Sequence, residues 1–411
     1  MVVEKTVPPL GWTQKRLGDV CRTVGGGTPS RSQPKYWNGE IPWASVKDFT
    51  DDCIILTDTQ EHITQDGLES SPSTLVPKDT PLLCTRMAVG RCALTARPTA
   101  INQDLKALLL SEDFDLRYFI RLLKFHARRL ERLSIGSTVR GITTSDLLGL
   151  QLCFAKKPEQ ARIALVLDTV DELIAKTEAV IAKLRQVRAG LLHDLLTRGL
   201  DAHGQLRPPP SQAPHLYKPS PLGMIPKEWE VQTLGLVCKP QQWPTISTNE
   251  LTLTGFPVFG ANGQIGFYTS FNHETPCVAI TCRGATCGTI HVTPPQCYIT
   301  GNAMALDNLD EEQVRLRFLA EFLRMRGLRD CITGSAQPQI IRATLLNIPI
   351  PKPCPEEQDA VITILSTHDS HVKSEECVLS KLHHLKSGLM DDLLTGRVRV
   401  PESLDGSSKT M

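Results

Sequence analysis

The sequence predicts a mixed α/β (α+β) chain. Two modules of short strands and single helices are joined by two long antiparallel helices that form a coiled coil, with an internal pseudo-twofold repeat. Three observations lead there. A 39-residue segment occurs twice, both copies are free of proline and carry apolar residues at heptad spacing, and short apolar, β-branched runs between turn residues fill the rest.

Residues 159–197 align without gaps to residues 357–395, with 15 of 39 positions identical, from Glu159-Gln160 against Glu357-Gln358 to a shared Asp-Leu-Leu-Thr end. The offset of 198 reaches back to Gly136 with Gly334 and to INQDLKAL (101–108) with ITGNAMAL (299–306). Nearer the N-terminus, Trp12-x4-Leu17-Gly18 recurs as Trp229-x4-Leu234-Gly235 at an offset of 217, so the first copy carries 19 extra residues between Cys21 and Ile101. Each half is thus a variable module followed by a near-constant segment.

That segment reads as a helix. Pro158 suits a first turn, where its missing N–H costs nothing. A heptad seam is placed on Ile163, Val166, Val170, Leu173, Thr177, Val180, Leu184, Val187 and Leu191. The second copy keeps Val361, Ile364, Val378, Leu382, Leu385 and Leu389, interrupted by His368, His371 and Glu375. A connection of roughly twenty residues, proline-rich at 208–210, spans such a rod only when fully stretched, so the helices are expected to run antiparallel. The expected boundaries are 1–156 and 221–353 for the modules, 157–199 and 354–397 for the helices, 200–220 for the linker and 398–411 for a tail.

Strand-like runs lie at 81–85, 92–95, 106–110 and 150–154, then at 277–281, 288–292 and 347–350. Each module has one amphipathic helix. In 117–133 the polar face is basic, with Arg117, Arg121, Lys124, Arg128 and Arg132, and Arg315, Arg317, Arg324, Arg326 and Arg329 repeat it more weakly. Such a face suits phosphate contact, and a solvated face is the other reading.

Base reading calls for Arg, Asn, Gln, Ser and Thr on loops. Arg86 and Arg283 both leave a strand-like run and enter a turn that ends in glycine. Ser137, Thr138 and Arg140 stand opposite Ser335 and Gln337, and Asn102 and Gln103 opposite Asn302. Tyr36 and Trp37, in the extra stretch, suit packing on DNA or in the core. Lys47, Arg91, Lys106, Arg121 and Lys124 in the first module, and Asn262, Gln264 and Gln339 in the second, complete the candidate nucleic-acid contacts.

The formal net charge is +1, so any basic surface is local. Thirteen cysteines without a CxxC pair fit a reducing cytoplasm. No GxxxxGK[ST] or HExxH occurs, Pro294-Pro295 follows a threonine where an amino-methyltransferase needs an acid or amide, and Cys277, Cys282, Cys287, His291 and Cys297 are too unevenly spaced for a zinc site. No catalytic or metal-binding residue is expected. An unrecognised methyltransferase or nuclease, or a helical scaffold that reads no sequence, are the rival readings.

GGGTPS followed by YWNGEIPWASVKDF, then LLCTRMAVGRCAL, PTAINQDLKALL, GSTVRGIT, FPVFGANGQIGFY and ITCRGATCGTI, with both helices ending DLLT, resemble the specificity (S) subunit of type I restriction–modification systems over essentially the whole chain. The resemblance implies two target recognition domains, each reading half of a bipartite double-stranded DNA site. It implies a helical pair that sets their spacing and docks two methyltransferase (M) subunits. It also implies that this chain holds no cofactor: the M subunits bring S-adenosylmethionine, and motor-nuclease (R) subunits bring ATP and Mg2+.

Overall fold

The computed structural model describes residues 8–136, 140–334 and 337–402. They fall into two compact units, one of Met1–Glu178 with Val378–Met411, the other of Ala179–Cys377. Both divisions fall inside long helices, Lys157–Thr197 and Pro355–Leu394.

In the first unit a five-stranded sheet runs in the order Cys21–Gly25, Leu105–Leu110, Pro81–Cys84, Cys92–Thr95, Ile55–Leu56, antiparallel except for the last pair. A second sheet orders Glu61–Ile63, Trp37–Ala44, Thr99–Ile101 and Thr74–Val76. The second unit repeats the plan. Lys239–Gln242, Ala303–Asp307, Val278–Thr281 and Ile290–Val292 form one sheet, and Gly263–Tyr268, Phe256–Gly260 and Tyr298–Ile299 the other. In both units the second sheet contains one parallel pairing at the same place, Trp37–Ala44 with Thr99–Ile101 and Phe256–Gly260 with Tyr298–Ile299. The 19 extra residues of the first copy lie in the stretch that supplies its additional strands, Ile55–Leu56 and Thr74–Val76.

Each expected amphipathic helix forms. The first is broken by His126 into Leu116–Phe125 and Ala127–Arg132, while Leu316–Arg326 is continuous. Phe119, Leu122 and Leu123 are fully buried, as are Leu319 and Leu323, so the apolar faces form the module cores.

The repeated Glu-Gln pair is the joint between module and long helix. Gln160 Oε1 accepts the backbone N–H of Asp115, the N-cap of Leu116–Phe125, at 2.9 Å, and its amide donates to Ala155 O at 2.8 Å. Gln358 does the same with the N-cap Arg315 and with Pro353 O. Glu159 accepts Trp12 Nε1 at 3.1 Å and the guanidinium of Arg399, and Glu357 accepts Trp229 Nε1 at 3.0 Å and Arg207 Nη1 at 2.6 Å. In each unit, then, the glutamate that starts one long helix is capped by an arginine beyond the end of the other. Glycine permits the turn: Gly199 has φ of +63°, and a Cβ there would lie 2.1 Å from Glu357 Oε1.

The seam differs from the sequence expectation. Ile163, Val170, Thr177, Leu184 and Leu191 hold their places, but their companions are Leu167, Ile174, Ile181, Arg188 and Leu195, while Leu173, Val180 and Val187 are exposed. The second helix repeats this at the offset of 198, through Val361, Leu365, His368, Val372, Glu375, Leu379, Leu382, Lys386, Leu389 and Leu393, with Val378 and Leu385 exposed. Two of the charged seam positions, Arg188 and Lys386, are paired. In the second unit Arg188 binds Asp369, with Nη2 to Oδ2 at 3.0 Å, and Arg185 binds Glu376 at 2.6 Å. In the first unit Lys386 Nζ meets Asp171 Oδ1 at 2.7 Å. Rising numbers on one helix meet falling numbers on the other, as antiparallel pairing requires. Arg188 holds the Asp369 carboxyl below the usual carboxylate range. Burial alone would raise Asp171, but Lys386 and Arg121 outweigh it and hold that group low too. Among the described residues no helix is long and apolar enough to cross a membrane.

Candidate nucleic-acid interface

In the first unit the turn 85–90 is held from two sides. Thr85 N–H donates to Asp104 O at 2.8 Å, Ile142 N–H to Thr85 O at 2.9 Å, and Met87 N–H to Arg140 O at 3.0 Å. The second unit builds the same clamp, in which Cys282 N–H donates to Asn302 O, Ile340 N–H to Cys282 O, and Gly284 N–H to Pro338 O. Three candidate loops distant in sequence therefore converge in each copy. Arg86, Gln103 and Arg140 gather on the first and Arg283, Asn302, Gln337 and Gln339 on the second, with Arg86 bridged to Gly141 and Arg283 to Gln339. Asn262 joins the second cluster through Thr286 Oγ1 at 3.1 Å, next to the exposed Gln264.

Beside the first clamp lies a cleft of about 620 Å3, lined by Met87, Arg91, Lys124, Arg128, Arg140 and Asp51 among others. Arg91 Nε and Lys124 Nζ both bind Asp51, the second through its carbonyl. Arg128 and Arg140 have no ion-pair partner among the described residues, which leaves the cleft net positive.

The geometry withdraws some candidates. Arg121 is 1% exposed, because the helix that carries it packs against the long helix, and its Nη2 binds Asp168 and Asp171 there. Its neighbour Arg117 also turns to Asp168, so two of the five basic residues of that face are partners for acids of the same chain. Asn102 is 5% exposed and folds back onto its own turn, its Oδ1 accepting Asp104 N–H. Trp37 packs edge-on against Trp43 at 5.2 Å under the Arg31 guanidinium, and its neighbour Tyr36 lies half-buried. Lys47 is exposed, and Lys106 lies over Gly25 on the sheet. Ser137, Thr138 and Ser335 lie outside the described residues.

The uneven cysteine–histidine cluster does not converge as a set. Instead Cys277 approaches His273 and Asp307. There His273 is spoken for: Nδ1 faces Asn272 Oδ1 at 2.6 Å, an oxygen already accepting Ile299 N–H, and Nε2 faces Asp307 Oδ1 at 2.9 Å. Trp243 Nε1 takes the other Asp307 oxygen. This is a closed hydrogen-bond network inside the domain.

The model of the type I restriction modification DNA specificity domain matches residues 9–186 and again 226–384. The chain belongs to this family. Each match covers one variable module and most of the long helix that follows it, so the internal repeat is a duplication of the specificity domain. Among curated relatives, the EcoprrI specificity subunit of Escherichia coli is 24% identical over 87% of this chain and 88% of its own. The MjaIX specificity subunit of Methanocaldococcus jannaschii is 26% identical over 59% of this chain, and the EcoR124I/EcoR124II specificity subunit of Escherichia coli 29% over 44%. These last two matches span about half the length of the relatives concerned, 55% and 47%. The crystal structure of a type I S subunit from M. genitalium shares the fold, with a TM-score of 0.57 at 19% identity over 96% of this chain and 98% of that one.

Proposed function

We propose that this chain is the DNA-reading subunit of a type I restriction–modification complex, with each specificity domain reading one half of a bipartite duplex site. The duplicated three-loop clamp carries this reading. One main-chain frame is built twice and presents different side chains, Arg86, Gln103 and Arg140 on one copy and Arg283, Gln337 and Gln339 on the other. Equal frames with unequal side chains suit two readers of different sequences. Lys47, Arg91, Lys106, Lys124 and Arg128 take the phosphate role, which gives affinity without choice. Asn262, Gln264 and Asn302 extend the second reader, and Ser137, Thr138 and Ser335 belong to the same loops by sequence.

The chain itself performs no chemistry in this reading. Two methyltransferase subunits, which bring S-adenosylmethionine, dock on the long helices in the cytoplasm. Leu165 and Leu173 of the first unit and Val180 and Val187 of the second, exposed on a helix whose other face is covered, suit that contact. Restriction subunits bring ATP and Mg2+.

The test is exchange. Replacing residues 1–155 with the matching part of a related S subunit is expected to change one half of the methylated motif in cells and leave the other intact. A swap that alters both halves, or neither, overturns the two-reader reading.

A further inference from the structure

Five residues other than glycine have a left-handed backbone among the described residues: Asn38, Asp79, Met87, Gln296 and Asn308. Four carry the short or polar side chains such positions tolerate. Met87 is the exception, with φ of +62°, and it is also 69% exposed. No core contact explains it. Nor does the turn need it, because the equivalent place in the second copy is Gly284, with φ of +85° and open space where a Cβ would stand. The first copy thus keeps a strained apolar residue where glycine serves the fold equally well.

Its setting points outward to a ligand. The turn is clamped by the Met87 N–H to Arg140 O and by the bridge from Arg86 to Gly141, so the backbone beneath the side chain is fixed. Ile135, 72% exposed, bridges to the same Gly141, and Met87 lines the cleft together with the exposed Arg140. An exposed apolar side chain and an exposed guanidinium on one cleft match a mixed target, anionic with an apolar point on it.

We infer that Met87 is a specificity-determining residue of the first domain and that its thioether packs against the 5-methyl group of a thymine in the half-site beside the base met by Arg86. That methyl is the apolar feature on base edges in the major groove, where guanine also offers its acceptor pair to arginine. An unbranched, polarisable side chain on a fixed backbone conforms to a methyl group without demanding one angle. The inference rests on the DNA-reading function proposed above.

The test compares wild type, Met87→Gly and Met87→Leu, each assembled with its methyltransferase partners. Methylation mapping of cells that express the wild type gives the motif. Duplexes of that motif with deoxyuridine in place of each thymine, one at a time, are then methylated in vitro. The wild type is expected to slow roughly tenfold at one thymine of the half-site read by the first domain. Met87→Gly is expected to lose the preference at that position, to be indifferent to deoxyuridine there, and to melt no lower than wild type, since glycine relieves the left-handed strain. Met87→Leu retains most of the preference. An unchanged motif in a stable Met87→Gly chain overturns the inference, as does relaxation confined to the half-site of the second domain. A wild type that yields no bipartite motif overturns the DNA-reading function itself, an outcome distinct from either of these.

Discussion

Arg86 and Arg121 are alike in sequence terms, yet their side chains are 58% and 2% exposed. Arg86 stands on the clamped turn with Asp104 only at 3.9 Å, whereas Arg121 sits between two carboxylates of the long helix. Removing Arg121 takes away the cation shared by Asp168 and Asp171, leaving only Arg117 on the first and Lys386 on the second. Both carboxylates retain some contact with water, so the loss falls short of that for a fully buried pair. Arg121→Ala is expected to cost about 2–3 kcal/mol in urea unfolding, with the DNA affinity of the folded fraction unchanged. Arg86→Ala is expected to move stability by less than about 0.5 kcal/mol and to weaken DNA binding at least tenfold in a filter or anisotropy assay, with partner assembly intact on gel filtration. Periodicity could not separate the two. It places Arg117, Arg121, Lys124 and Arg128 on one polar face, but what that face meets lies some fifty residues on, in Asp168 and Asp171. Met87 was legible in principle, as the residue opposite Gly284 in the repeat, but only backbone angles reveal that its position is left-handed.

For the long helices, extent, phase relation and antiparallel sense followed from the repeat, but the seam lies one residue away from the all-apolar track. Two tracks share Ile163, Val170, Thr177, Leu184 and Leu191. One adds Val166, Leu173, Val180 and Val187, the other Leu167, Ile174, Ile181 and Arg188. Counting apolar residues favours the first. The folded chain uses the second because two of its charged members find partners, Arg188 in Asp369 and Lys386 in Asp171. Adjacent residues then diverge sharply in role. Ile174→Lys, at a position 8% exposed, is expected to cost about 3 kcal/mol and to lower the thermal midpoint seen by helical circular dichroism. Leu173→Lys, 46% exposed, is expected to leave that midpoint within a degree or two while weakening capture of the methyltransferase subunit. Equal losses of stability from both would return the seam to the apolar track. Strands such as Trp37–Ala44, Phe256–Gly260 and Ala303–Asp307 were missed, but the seven runs read as strand-like were legible to within two residues, because short apolar runs between turn residues leave few choices. Their order was not, since pairings such as Cys21–Gly25 with Leu105–Leu110 join residues some eighty positions apart.

At the scale of the whole chain, each unit is finished by residues from outside its own repeat. Arg399 reaches Glu159 and Leu10, and Val400 is buried in the core that holds Trp12 and Leu167. The counterpart of Arg399 is Arg207, 192 residues earlier and not 198, so the repeat alignment hides the correspondence. Deleting residues 396–411 is expected to destabilise the first unit by about 2–4 kcal/mol, read as early loss of the Trp12 environment on heating, and to leave Trp229 unaffected. Simultaneous loss at both tryptophans would mean that the units do not melt independently. The same closure sets a timetable for the ribosome. The second unit is one uninterrupted stretch, Ala179–Cys377, while the first needs Val378 onward as well. The half translated first is therefore completed last, against the usual N-terminal-first order. Its core, which holds Ile163 and Leu167, stays incomplete until Leu393 and Leu394 leave the exit tunnel. Nascent chains stalled with residue 377 just outside the tunnel should resist protease across the second half while the first half is still cut. In the cell that interval is when this protein most needs a chaperone, and a premature stop near its end disables the reader at its beginning.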